Sequence, residues 1–172
     1  MRDLKICPVS ADHLDQLADL LSETVASGGS VSFLHPLGLD RAKAFWAGAL
    51  SDMAAGDRVV LGAFEGEVLA ATVTLVLGFP DNQPHRAEIA KMMTAVRYRG
   101  RGIARELMHA AEALALKHGK SLLVLDTAAE GGAAGLYAKL GYTEAGIIPD
   151  FALKPHGGLS PTILFWKRIG GS

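Results

Sequence analysis

Nine consecutive residues, Arg97-Tyr98-Arg99-Gly100-Arg101-Gly102-Ile103-Ala104-Arg105, hold four arginines and two glycines. The residues before them read as a strand and those after as a helix. Glycine lets a backbone turn tightly and present its N–H groups without a side chain in the way. A helix start adds unpaired N–H groups and the positive end of the helix dipole. Together they form a cradle for a phosphate-like anion, to which guanidinium groups would add charge and forked donors. Three readings compete. A glycine loop carrying solvated arginines is the plainest. A nucleotide P-loop pattern is absent. A dinucleotide fingerprint needs Gly or Ala at the third position, where Arg105 would obstruct helix–strand packing, although Asp126 stands about 20 residues on, as that fingerprint asks.

Three further residues could move protons. Glu88 opens a strand whose other residues read as core; it is either a base or a strand-end carboxylate paired with Arg86 or water. Asp126 closes the apolar run Leu122–Leu125, at the strand end where α/β folds bind ligands, and could equally cap the following turn. Tyr137 is a phenol on a short helix, either a proton donor or a core aromatic. The histidines (13, 35, 85, 109, 118 and 156) show no ligand spacing, so no metal site is expected. The G-x-S-x-G elbow of serine hydrolases is absent as well.

Periodicity supplies the elements that would hold these groups. Residues 2–9 read as a strand, and Ser10 as the cap of a helix carrying Leu14, Leu17, Leu21 and Val25, stopped by Gly28-Gly29. Residues 30–39 form a loop rich in apolar side chains. Asp40 is expected to cap a second helix that ends at Gly56. A hairpin of strands spans 58–65 and 67–77, and a third strand spans 87–96. Then come a helix over 103–118, a doubly buried strand at 122–125, a helix over 132–140 and a brief strand at 142–146. Residues 147–160 read as a loop, and 162–169 as the last strand. The unit 87–126 is long enough for a right-handed parallel crossover. The expected fold is α/β: a mixed, mostly antiparallel sheet with a central parallel strand–helix–strand unit and helices on both faces, in one domain over 1–172.

Bulk properties narrow the classes. With 172 residues, 49% hydrophobic and 20% charged, the chain can bury a full core. A net charge of −1 gives no bulk attraction to nucleic acid or membrane. One cysteine, Cys7, allows no internal disulfide and fits a reducing compartment. The first residues lack the apolar segment of a signal peptide, and no run reaches the ~18 residues a membrane span needs. A cytoplasmic protein is expected.

The cradle matches a family signature. Arg97-Tyr98-Arg99-Gly100-Arg101-Gly102 fits [RQ]-x-x-G-x-[GA], and Leu136-Tyr137-Ala138-Lys139-Leu140-Gly141-Tyr142 is similar to a second conserved segment of the GNAT N-acetyltransferase superfamily. The order of elements agrees over nearly the whole chain. Within the superfamily, Glu23-Thr24-Val25, Gly28–Val31, Arg86-Ala87-Glu88, Leu125-Asp126-Thr127 and Pro161-Thr162 resemble the tabtoxin-resistance acetyltransferases. The resemblance implies that acetyl-CoA is the acyl donor. Its pyrophosphate would sit on the backbone N–H groups of Arg99, Gly100, Arg101, Gly102, Ile103 and Ala104, and its pantetheine arm would pair with the main chain near Met93 and Thr94. It implies Glu88 as base, Asp126 as a second base and Tyr137 as the acid that protonates the departing thiolate. Many members carry Asn where this chain has Glu130, which leaves that cofactor contact in question.

The acceptor is expected to be a small-molecule amine, bound by loops that the cradle does not use. Val31 and Phe33 from 28–39, with Asp150 and Phe151 from 147–160, are the candidate lining. Apolar residues of this kind can equally pack under helices. A monomer or homodimer is expected, without nucleic acid. Acceptors diverge quickly on one fold, so acetylation of proteins and acyl-CoA sensing without turnover stand as alternatives.

Overall fold

The computed structural model describes residues 3–171, so Arg2, expected to open the first strand, lies outside the described residues. Seven strands form one sheet: β1 (Leu4–Pro8), β2 (Arg58–Glu65), β3 (Val68–Val76), β4 (Arg86–Thr94), β5 (Leu122–Ala128), β6 (Thr143–Leu153) and β7 (Leu159–Arg168). Their spatial order is β1-β2-β3-β4-β5-β7-β6. Only β4 and β5 are parallel; every other pair is antiparallel. Both parities of β3 are buried from Leu69 to Leu75, as a strand covered on both faces requires.

Helix α1 (Leu14–Ala26) buries Leu17, Leu20, Leu21, Thr24 and Val25, one apolar stripe at 3.6-residue spacing. Ser10 stands before a short 3-10 turn, and its N–H donates to His13 Nδ1 at 3.0 Å. Helix α2 (Leu39–Ala55) buries Ala42, Trp46 and Ala49. Its cap position is Gly38, whereas Asp40 lies inside the first turn, where a negative charge meets the positive dipole end. Helix α3 (Ile103–Lys117) buries Ile103, Leu107, Met108, Ala111 and Ala115. The short helix α4 (Ala134–Lys139) brings Tyr137 into the core. Lys167 of β7 fastens this corner: its ammonium donates to Glu112 on α3 at 2.9 Å and to the Leu140 carbonyl at 2.8 Å. Among the described residues, no helix is long and apolar enough to cross a membrane.

Two expectations need correction. The stretch 147–160 is mostly strand, because β6 runs on to Leu153 and pairs with β7 along the sheet edge. The register slips between Ile148 and Ala152. Pro149 falls in that irregular segment of an edge strand, where no ladder N–H is demanded of it. β5 is longer than expected and alternates, with Leu123 and Leu125 buried but Leu122 and Val124 only partly so. Asp126 therefore lies within β5 rather than closing it, with Thr127 and Ala128 still in the strand.

Candidate active site

The parallel pairing of β4 with β5 covers Arg86, Ala87 and Glu88 against Leu122, Leu123 and Val124, and then stops. Beyond Glu88 the two strands are not paired with each other, although β4 stays on β3 and β5 stays on β7 to their ends. The sheet thus opens as a fork. A cleft of about 1280 Å³ runs through it, bounded by both strands, the 27–34 segment, residues 98–105, the start of α4 and the end of β6.

A bulge sharpens the fork. Between Thr72 and Thr74 the β3–β4 register gains a residue, and Lys91 at that point has φ +51°. Such a bulge bends a strand and turns its peptide groups away from the ladder. The edge of β4 facing the gap, including the backbone of buried Met93 and of Thr94, can then pair with an extended ligand, as an added strand would.

The cradle closes one end. Gly100 (φ +73°) and Gly102 (φ +78°) both adopt left-handed backbone, and Gly102 is the N-cap of α3. A Cβ on either would meet no atom within 4 Å, so both open onto free space. Among the described residues, the N–H groups of Gly100, Arg101 and Gly102 reach no protein acceptor, and the first amides of α3 have no partner within the helix. These donors suit a diphosphate. The arginines behave differently from the sequence expectation of a guanidinium ring. Arg101 pairs with Glu65 at 2.7 Å, and Arg99 donates to the Thr94 carbonyl at 3.2 Å and to Ser27 Oγ at 3.1 Å. Arg97 lies over the Tyr98 ring and outside the cleft wall. The main chain supplies the cradle, and Arg99 and Arg101 brace it.

The proton-transfer candidates meet at the fork. Glu88 sits at its last paired rung, with one carboxylate oxygen 3.6 Å from Arg86 Nη1. Arg86 is held in turn by Gln83 and by the face of Phe79, 3.8 Å away. Asp126 stands across on β5 and accepts a hydrogen bond from Thr162 Oγ1 at 2.9 Å. Tyr137 is 5% exposed, packed on Tyr142 and Phe165, and lines the cleft. No protein group hydrogen-bonds its hydroxyl among the described residues. Burial first, and the negative charge of Asp126 second, push its pKa up to about 12.

That shift has a consequence for stability. The unfolded tyrosine ionises near pH 10, the folded one near 12, so the unfolded chain releases this proton first. The contribution, about 2–3 kcal/mol at most, is complete below pH 10 and is lost as pH climbs to about 12. Urea unfolding across this interval should show a smaller alkaline loss in Tyr137→Phe than in the parent. Parallel curves would contradict the shift.

Of the candidates for the acceptor side, Val31, Phe33 and Phe151 line the cleft and Asp150 does not. Val31 is buried and Phe33 half-buried, the latter edge-on to Phe45 at 5.2 Å. Phe151 is 52% exposed at the rim. Asp150, at φ +52° in the β6 bulge, lies outside the cleft wall. Two contacts tie the end of α1 and the loop after it to the β6–β7 turn: His35 N donates to the Pro155 carbonyl at 2.9 Å, and His156 Nε2 lies 3.0 Å from the Ala26 carbonyl. Glu130, at the position where many GNAT members have Asn, pairs with Lys154 at 3.2 Å. Sequence reading missed Lys91, whose half-buried ammonium enters the cleft and bonds Ser32 Oγ at 3.0 Å. A lone lysine inside the otherwise apolar run of β4 was the available signal. Thr162, which orients Asp126, had been noted for resemblance alone.

Comparison with known proteins agrees with this architecture. The chain is similar to an N-acetyltransferase from Staphylococcus aureus Mu50, at 15% identity over 98% of this chain and 99% of that one, with a TM-score of 0.82. It is similar to yncA of Salmonella typhimurium, solved with its cofactor acetyl-CoA, at 16% identity over 98% and 95% of the two chains, with a TM-score of 0.81. A ribosomal-protein-alanine N-acetyltransferase from Brucella melitensis matches at 18% identity over 96% and 99%, with a TM-score of 0.82. The family model for the acetyltransferase (GNAT) family matches residues 26–142, a span that holds the cradle, the fork, both carboxylates and the tyrosine. With most of the cleft lining inside that span, this chain belongs to the GNAT acetyltransferase family.

Proposed function

We propose that the enzyme transfers the acetyl group of acetyl-CoA to a primary amine of a small molecule, within a ternary complex. The observation that carries this reading is the continuous path from the free amides of Gly100–Gly102, along the unpaired edge of β4, to Glu88 and Asp126. The diphosphate occupies the cradle, and the pantetheine arm pairs with β4 near Met93 and Thr94. An incoming ammonium loses a proton to Glu88, directly or through water, with Asp126 as second acceptor. The freed amine attacks the thioester carbon, and an N–H of β4 near Met93 holds the oxyanion. As the intermediate collapses, the C–S bond breaks, the Tyr137 hydroxyl gives its proton to the sulfur, and the extra proton on nitrogen passes to Asp126. Of the two protons taken up by the carboxylates, one returns to the phenolate and one leaves to water.

The cleft runs between β4, the 27–34 loop and the end of β6, which favours a compact acceptor over a protein chain. Val31, Phe33 and Phe151 supply its apolar surface. The stretches similar to the tabtoxin-resistance acetyltransferases favour an amino-acid-like acceptor, and a cytoplasmic single-domain enzyme fits the rest of the sequence. The test is release of free thiol from acetyl-CoA across a panel of primary amines, with the product identified by mass spectrometry. Turnover of a small amine, and none of alanine-terminated peptides, is the expected result. Thiol release with peptides alone would overturn the small-molecule reading.

A further inference from the structure

Resting on that reading, we infer that Lys91 binds a carboxylate of the acceptor, so that the natural substrate is an amino acid whose charged ends are both read by the cleft. Three observations lead there. Only three non-glycine residues in the described chain have positive φ, Ser32, Lys91 and Asp150. Two of these three, Lys91 and Ser32, are hydrogen-bonded to each other across the acceptor side of the cleft. Left-handed backbone is costly for a side-chain-bearing residue and concentrates where a group must be held in one place. Here two separate segments, β4 and the 27–34 loop, each accept that strain at the same contact.

The second observation is charge. Among the described residues, no carboxylate lies within 4.0 Å of the Lys91 ammonium; its polar contact is the neutral Ser32 hydroxyl, with the Phe45 ring 5.9 Å away. A half-buried cation without a counter-ion is unfavourable unless something supplies one. Burial already lowers the pKa of this lysine, against the opposing pull of Asp126 and Glu88. A ligand carboxylate would restore the pairing.

The third observation is arrangement. Glu88, Asp126 and Lys91 line one cleft, and both carboxylates lie within electrostatic reach of the ammonium. Two negative groups attract the amine that must be acetylated and repel a carboxylate beside it. Lys91 and Ser32 offer that carboxylate a charge-assisted site. A zwitterion matches this pattern, whereas a polyamine would bring a second cation against Lys91.

The experiment compares each standard α-amino acid, and β-alanine, with its own carboxamide as acceptor, using the full chain and saturating acetyl-CoA. The parent enzyme should prefer the acid of its best pair at least tenfold in kcat/KM. Lys91→Met should bring that ratio close to one, chiefly by raising KM for the acid. Lys91→Arg should keep most of the preference, because arginine retains the charge yet cannot serve as a base. Equal or better turnover of the carboxamides by the parent would overturn the inference while leaving the acetyltransferase reading intact. Equal losses for acid and amide in both variants would overturn it in favour of a lysine base or a structural lysine. Absence of thiol release with every amine tried would remove the reading beneath it as well.

Discussion

Replacing Gly102 with Glu should raise the dissociation constant for acetyl-CoA at least 100-fold, about 2.7 kcal/mol. Gly102 caps α3 in left-handed backbone at φ +78°, and a side chain built on it would enter open space in the cleft wall. The new carboxylate would therefore stand where the amides of Gly100–Gly102 face outward, against a diphosphate carrying charge of the same sign. Two effects must be separated. Any side chain at this φ costs about 1 kcal/mol of fold stability, and a negative charge at a helix start returns part of that. Gly102→Ala carries the strain without the charge, so it should weaken binding less than tenfold. Titration calorimetry on both variants, with circular dichroism to confirm the fold, makes the comparison. Affinity like the parent's in Gly102→Glu would take the diphosphate out of the cradle.

This cradle was legible in the sequence for a reason that does not extend to the rest of the site. Two glycines between a strand pattern and an amphipathic helix leave a local signature, because every contribution comes from adjacent residues. The arginines around them were legible as composition but not as geometry. Glu65 lies 36 positions from Arg101, and nothing local reveals that the two meet at 2.7 Å. The same limit hid the acceptor side. The one-residue bulge in β4 leaves no local mark beyond the lysine itself, because Ala90, Met92 and Met93 on either side of Lys91 read as core in either register. The β6 extension was hidden by Gly146 and Pro149, which favour loops unless a partner strand overrides them. Asp150 then fell outside the cleft wall, since its place follows from the slipped register of that strand.

The fork was legible only in part. A parallel strand–helix–strand unit follows from the lengths of its elements, but the point where pairing stops does not. Glu88 and Val124 form the last rung, and this sets which residues face a ligand. Glu88 at that rung lines the cleft, while Arg86, two rungs before, remains fixed by Gln83 and Phe79. The Arg86 pairing expected of a strand-end carboxylate is present but long, at 3.6 Å, and Glu88 also lines the cleft.

Tyr137→Phe should lower kcat by about 100-fold, within the range for losing a general acid, with the acetyl-CoA dissociation constant changed less than threefold. The ring is held by Tyr142 and Phe165, and phenylalanine preserves those contacts. The hydroxyl makes no protein hydrogen bond, so its removal strands no buried partner. The hydroxyl borders the cleft, where a ligand would be its partner. With its pKa near 12, the phenol is protonated throughout the working range, so the parent's kcat should show no loss from this group below about pH 11. The high value makes full proton release to a free thiolate unfavourable. On the proposed mechanism the hydroxyl would act as a hydrogen-bond donor while charge builds on sulfur, with transfer completed only as the C–S bond parts. Slower donors matter most for poor leaving groups, so the variant's deficit should shrink with an acetyl thioester of a more acidic thiol. A deficit independent of the thiol would assign Tyr137 to holding the acceptor instead, and unchanged kcat would remove it from the reaction.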